Sequence, residues 1–167
     1  MLRSIAIYPR IDGDDAIHRV RSRFDNLATK VPYHVTLVFP FSSDLAKDEI
    51  AAHMAAAVVG VGAISLSLGA PAAKGEIVHL PVVVGEESFR LLHARLYSGL
   101  LGHFLRTDLA YSPHLTVGRC PDWPERQTCL TEAESIRGLK GLADTISCEI
   151  IEADESSTRE IDLPLRA

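Results

Sequence analysis

Two stretches eighty residues apart constrain this chain more than any other feature: "HVTLVF", starting at His34, and "HLTVGR", starting at His114. Each is short and rich in β-branched or aromatic residues, and each has proline just outside it, the pattern of a strand. Side chains alternate faces along a strand, so His34 and Thr36 share one face while Val35, Leu37 and Phe39 share the other. His114 and Thr116 oppose Leu115 and Val117 in the same way. The apolar set can pack beneath helices. The polar set then borders a space that takes two imidazoles and two hydroxyls.

The elements around these strands repeat in order. The first half predicts a strand over residues 2–8 and a helix through "DGDDAIHRVRSRFDNL", with Ile17, Val20, Phe24 and Leu27 at helical spacing and aspartates at its N-terminal end. The first H-x-T strand follows, then a helix through "SSDLAKDEIAAHMAAAVV" with serine or aspartate caps, and strands at "AISLSLGA" and "EIVHLPVVV". The second half predicts a helix through "EESFRLLHARLYSGLLGHFL", with Phe89, Leu92, Leu96 and Leu100 on one face, and then the second H-x-T strand. A helix through "DWPERQTCLTEAESIRGL" comes next, capped by Asp122 with Pro124 in its first turn, and then strands at "DTISCEIIEADE" and "TREIDLPLR". The same offset carries Leu66 and Leu68 onto Ile146 and Cys148, which keeps the inward parity. No linker or low-complexity stretch separates the halves. Approximate repeats 1–85 and 86–167 therefore predict a single domain over 1–167, built as two similar lobes related by a pseudo-twofold.

The net charge of −5 over 167 residues argues against a broad basic surface for long nucleic acid, while leaving room for a local phosphate pocket. Cys120, Cys129 and Cys148 are odd in number and lack paired spacing, so neither a disulfide framework nor a structural zinc site is expected. The start, "MLRSIAIYPRIDGDD", meets charge too early for a signal peptide, and no apolar run approaches membrane-spanning length. The expectation is a soluble, cytoplasmic, monomeric protein.

Two imidazoles and two hydroxyls around one phosphorus suit hydrolysis of a strained cyclic phosphate. A neutral histidine takes a proton from the attacking water, and a protonated one returns a proton to the leaving ribose oxygen. With a reference pKa of about 6.5, imidazole offers both states near neutrality. The threonine hydroxyls can donate to the non-bridging oxygens, where charge builds. This chemistry calls for no metal and no cofactor, and the chain lacks the clustered carboxylates of a two-metal phosphatase.

Two H-x-T motifs half a chain apart in a repeated α/β body resemble the 2H phosphoesterase superfamily. The flanks "TLVFPF" and "YSPHLTVGR" are similar to its 2′-5′ RNA ligase-like branch. The resemblance in element order spans nearly the whole chain, and the specific motifs cover about twenty residues. It implies an α+β, bilobal fold, with antiparallel sheets and outer helices around a central cleft. It also implies metal-independent cyclic phosphodiesterase activity on 2′,3′-cyclic phosphates of small nucleotides or RNA ends, and in some members the reverse reaction, 2′-5′ ligation of RNA ends. The family's catalytic histidines fall on His34 and His114, and its phosphate-binding hydroxyls on Thr36 and Thr116.

Further contacts to the nucleotide are expected among Tyr33, Phe41, His79, Tyr111 and Arg119. Tyr33 and Tyr111 precede the motifs, and an aromatic ring at a cleft mouth can stack on a base. Parity assigns Phe39 to the core and leaves Phe41, beyond Pro40, open. His79 lies in a strand that could line the cleft, although a structural role is the simpler reading. Arg119 could pair with a phosphate, but parity turns it away from His114 unless the strand bends at Gly118; a salt bridge explains it equally well. His18, His53, His93 and His103 fall on helices with no role expected. A non-catalytic nucleotide- or RNA-binding module is the alternative of another class. It would have no need of two titratable groups.

Overall fold

The computed structural model describes residues 1–166. In chain order the elements are β1 (Leu2–Ile7), β2 (Arg10–Ile11), α1 (Asp15–Phe24), β3 (Val35–Ser42), α2 (Lys47–Ala57), β4 (Ile64–Leu68), β5 (Ala72–Lys74) and β6 (Ile77–Val84). There follow α3 (Glu86–Leu96), β7 (His114–Arg119), α4 (Trp123–Ala133), β8 (Lys140–Ala143), β9 (Thr145–Ile151) and β10 (Ser157–Pro164). Every long element expected from periodicity is present; the short β2, β5 and β8 were not expected. The predicted helix after Gly85 is shorter than its pattern: it stops at Leu96, and a 3-10 segment, Gly99–Phe104, follows. Gly99 has φ +66°, a conformation that ends a helix and that glycine adopts without strain. Asp122 caps α4 by accepting from the Glu125 N–H, as its position suggested. The cap of α2 is instead Ala46, whose N–H donates to the Glu49 carboxylate.

The strands form one curled antiparallel sheet in the order β10-β9-β1-β3-β7-β6-β4-β8-β2, with β5 added onto β6. The order reads as two lobes meeting at the β3–β7 seam. The architecture is the expected α+β one, but the lobes are not the two halves of the chain. β9, from the second half, pairs with β1 beside the His34 strand. β4, from the first half, pairs with β6 beside the His114 strand. The helices cross over too, since α1 packs on β7 and α3 on β3. Parity placed Leu66, Leu68, Ile146 and Cys148 inward, and all four are buried.

Side chains Val35, Leu37, Leu115 and Val117 are fully buried beneath the helices, together with Ile17, Val20, Phe89 and Leu92 from α1 and α3. This apolar layer fixes which way the opposite faces of β3 and β7 look. Registers are irregular where it matters. Between the pairs Arg3↔Phe41 and Ala6↔Thr36, β3 carries two more residues than β1. Each such bulge reverses the faces beyond it or crowds two residues onto one side.

Candidate active site

The seam between the lobes is a single residue pair, Val35↔Leu115. In an antiparallel ladder that register sets His34 opposite Thr116 and Thr36 opposite His114. The central pair points into the core, so these four side chains share the other face. The two imidazoles stand on one diagonal of the rectangle and the two hydroxyls on the other. Diagonal neighbours across strands lie roughly 7–8 Å apart, a gap that a tetrahedral anion can bridge. All four residues line a cleft of ≈ 650 Å³ between the lobes. His34, Thr36 and Thr116 also line a smaller recess of ≈ 110 Å³ that reaches back to Arg119.

The two histidines are clamped alike. His34 Nδ1 lies 2.9 Å from the Pro32 carbonyl oxygen, and His114 Nδ1 lies 2.7 Å from that of Ser112. A carbonyl only accepts, so each Nδ1 carries the hydrogen and donates it, which leaves Nε2 as the nitrogen available for proton transfer. Burial holds both imidazoles below their usual pKa; the clamping carbonyls oppose the shift without cancelling it.

Since β3 meets β7 at only one residue pair, side chains also grip its backbone. Tyr111 Oη donates to the Thr36 carbonyl (2.9 Å), His93 Nδ1 to that of Leu37 (2.7 Å), and the Phe39 N–H donates to Tyr97 Oη (3.0 Å). The rings of His93 and Tyr111 stack at 3.7 Å. Tyr111 is therefore committed to holding the Thr36 strand and does not line the cleft, contrary to the expectation of a substrate contact. His93, for which no role was expected, is part of the same brace.

The bulges in β3 reverse the expected roles of its two phenylalanines. Phe39 lines the cleft, whereas Phe41 is 3 % exposed and packs against Phe104 in the core. In β7 a bulge falls between the pairs Thr116↔His79 and Gly118↔Val78. That is the bend at Gly118 on which Arg119 depended, and it turns Arg119 into the cleft. The backbone at Gly118 is pressed close, as a Cβ there would lie 2.5 Å from Cys129 Sγ. Arg119 also forms the salt bridge considered for it, with Nε 3.1 Å from Asp25 Oδ1. Asp25 is buried at 6 % exposure and pairs with the equally buried Arg21, which also donates to the Val31 carbonyl.

Tyr33 borders the small recess and donates to Asp14. Its phenol is pushed up to about 12, first by burial and then by that carboxylate. His79 pairs with Thr116 across β6–β7 and packs its ring 4.6 Å from that of His114. Burial, and then His114, push His79 down to about 4, and its buried Nδ1 has no hydrogen-bond partner among the described residues. Two further residues went unnoticed in the sequence: Glu149, 3 % exposed, and Tyr8, which donates to it beside the His34 ring. The signal for Glu149 was present, as a carboxylate in the apolar run "SCEII" on the face opposite Ile146 and Cys148. Among the described residues, no group of three or more His, Cys, Asp or Glu side chains is placed to hold a metal ion, and no helix is long and apolar enough to cross a membrane.

The profile of the 2′-5′ RNA ligase superfamily matches residues 9–154, which includes both motifs and the whole seam. The chain belongs to the 2′-5′ RNA ligase superfamily, the 2H phosphoesterases. A Geobacillus sp. (strain WCH70) protein provisionally named a phosphoesterase is 29% identical over 123 residues, covering 71% of this chain and 69% of the relative. Among solved structures, Escherichia coli LigT complexed with phosphate matches at TM-score 0.58 and 14% identity, covering 99% of this chain and 97% of that one. LigT complexed with 3′-AMP matches at TM-score 0.60 and 14% identity, covering 99% and 98%. At that identity the likeness is one of fold. Family membership assigns the chain to phosphoesterase-type enzymes.

Proposed function

We propose that this protein hydrolyses 2′,3′-cyclic phosphodiesters of small nucleotides or RNA ends, with His34 and His114 as the acid–base pair and Thr36 and Thr116 as donors to the phosphate. The observation that carries this reading is the matched pair of Nδ1–carbonyl clamps, which leaves two Nε2 atoms for one cleft across the Val35–Leu115 seam. A cyclic phosphate on the rectangle would have one Nε2 on the side of the incoming water and the other on the side of the leaving ribose oxygen. In-line displacement at phosphorus requires that placement. The hydroxyls stand on the other diagonal, where the non-bridging oxygens gather charge. Arg119, reaching in from the bulge, adds a cation whose charge is shared with Asp25. Phe39 offers a ring to a base. The bound nucleotide of LigT makes a nucleotide the first class of substrate to test here.

The test is turnover of a panel of 2′,3′-cyclic nucleotides, and of RNA ending in a cyclic phosphate, in the presence of a chelator. Activity that persists under chelation and is lost in His34→Ala and in His114→Ala separately is the expected result. Wild-type rates in either variant would sink it, and tight binding without turnover across the panel would point to a binding module. Ligation is the reverse reaction on the same groups, and the family's name favours assaying it. RNA halves bearing cyclic-phosphate and 5′-hydroxyl ends would give a joined product if this chain ligates.

A further inference from the structure

The two histidines share a clamp but not their surroundings, and the difference lies in charge. Beside His34 stands Tyr8, with ring centroids 5.5 Å apart; its hydroxyl donates to Glu149 Oε2. Ser4 Oγ donates to Glu149 Oε1 at 2.6 Å. Glu149 lines the same cleft as His34, and its direct partners are these two neutral hydroxyls, so its negative charge is not cancelled by a bonded cation. The cations that face His34, Arg21 and Arg119, are both bound to Asp25. Arg159 lies 4.3 Å above the Tyr8 ring and pairs across the strands with Glu149, to which it forms no salt bridge. His114 faces a different set: His79 on β6, Lys74 on β5, and His34 across the seam. Among the described residues, no carboxylate is hydrogen-bonded to His114 or stacked beside it. Burial lowers both imidazoles; beyond that, Glu149 raises His34 against Arg21 and Arg119, whereas the charges on His114, those of His34 and Lys74, only lower it.

We propose that Glu149 is a positioning residue that holds the site's single exchangeable proton on His34 rather than on His114. The inference rests on the proposed function for its consequence, which is the direction of proton transfer. At the pH where one imidazole is protonated, His114 Nε2 is the free base and takes a proton from water as that oxygen forms its bond to phosphorus. The bond from phosphorus to the ribose oxygen breaks, and His34 Nε2–H supplies that oxygen's proton. Water is added across one P–O bond; the proton left on His114 and the one missing from His34 are restored by solvent.

The experiment compares wild type, Glu149→Gln and Glu149→Asp by two readouts. The first is NMR titration of the His34 and His114 imidazole signals in the ligand-free protein, assigned by loss of one signal in each histidine variant. In Glu149→Gln the His34 titration moves down by roughly one pH unit and His114 stays; Glu149→Asp, which keeps the charge, stays near wild type. The second is the pH profile of kcat/KM on a 2′,3′-cyclic nucleotide. Glu149→Gln moves only the alkaline limb down, so the rate above that limb falls about 10-fold while the acid limb holds. An unmoved His34 titration, or movement of the acid limb alone, overturns the proposal. Should Glu149→Gln not fold, Lys74→Met on exposed β5 tests the same asymmetry from the other side. Removing that cation raises the His114 titration and the acid limb, and an unmoved His114 counts against the proposal. If the wild type turns over no cyclic nucleotide, the proposed function fails, and the NMR arm still decides the placement of the proton.

Discussion

The His34 and His114 strands are built to the same plan and braced in different ways. The His114 strand is paired with β6 along most of its length, from Ile77↔Arg119 to Pro81↔His114. The His34 strand is itself bulged where it pairs with β1, and is further held by His93 and Tyr97 at the end of α3 and by Tyr111 just before β7. One lobe orients its imidazole through backbone pairing; the other needs side chains to do it. A pseudo-twofold site can therefore be symmetric in its reactive atoms and asymmetric in everything that holds them. Symmetry makes the two histidines equivalent candidates, and asymmetry in the support leaves them in different surroundings.

The largest effect tests the equivalence. His34→Ala and His114→Ala are each expected to lower turnover of a cyclic nucleotide by about 10²–10⁴-fold, since each removes one proton-transfer partner. A variant that keeps most of its activity would make the pair unequal in role and not only in surroundings. Next is stability on the side without a counterpart. Asp25→Ala leaves Arg21 buried and unpaired, at a cost of about 3–5 kcal/mol that chemical denaturation would measure. An undiminished midpoint would mean that the buried pair does not brace the lobe. Thr36→Val and Thr116→Val should each reduce kcat by about 10²-fold, the scale for losing one donor to developing charge. Unequal losses would show the phosphate sitting off the twofold. The two phenylalanines separate site from core. Phe41→Ala should cost about 3–5 kcal/mol of stability, whereas Phe39→Ala should leave the melting transition nearly in place and raise KM for the nucleotide. The smallest effect is one of pH. Both imidazoles are held below their ordinary value, so each loses its proton at lower pH than a free histidine. The kcat/KM profile, which reports the free enzyme, should fall off on its alkaline side before pH 6.5 is passed. A plateau extending well above that point would show the cleft to be more solvated than its burial implies.

Period-2 alternation placed His34, Thr36, His114 and Thr116 on one face, because the buried Val35 and Leu115 leave them no other to occupy. The +80 offset matched the two H-x-T strands, but the halves it defined are not the lobes. Alternation failed where the register slips. Phe39, Phe41 and Arg119 lie beyond bulges, and a bulge is set by the partner strand and so is not visible in the strand's own residues. Only the glycine at 118 hinted at one. The exchange of β4 and β9 was equally hidden, since a strand's sequence records its faces but not which edge it joins. Glu149 left a signal, a carboxylate in an apolar run, but nothing in its own strand shows that it meets Tyr8 beside His34, on strands remote in the chain.

That exchange of strands has a consequence for how the protein comes into being. β1 is made well before one of its two neighbours, β9. A chain emerging from the ribosome carries both H-x-T motifs before β9 and β10 can complete the sheet beside His34, and the pairing that closes it joins Arg3 to Ile150, a slow and late kind of contact. A chain stopped before β9 lacks Glu149 and Ile151 from the lining of the cleft. The two histidines are on the chain, and their seam can pair, before the strands that wall the cleft on the His34 side can dock.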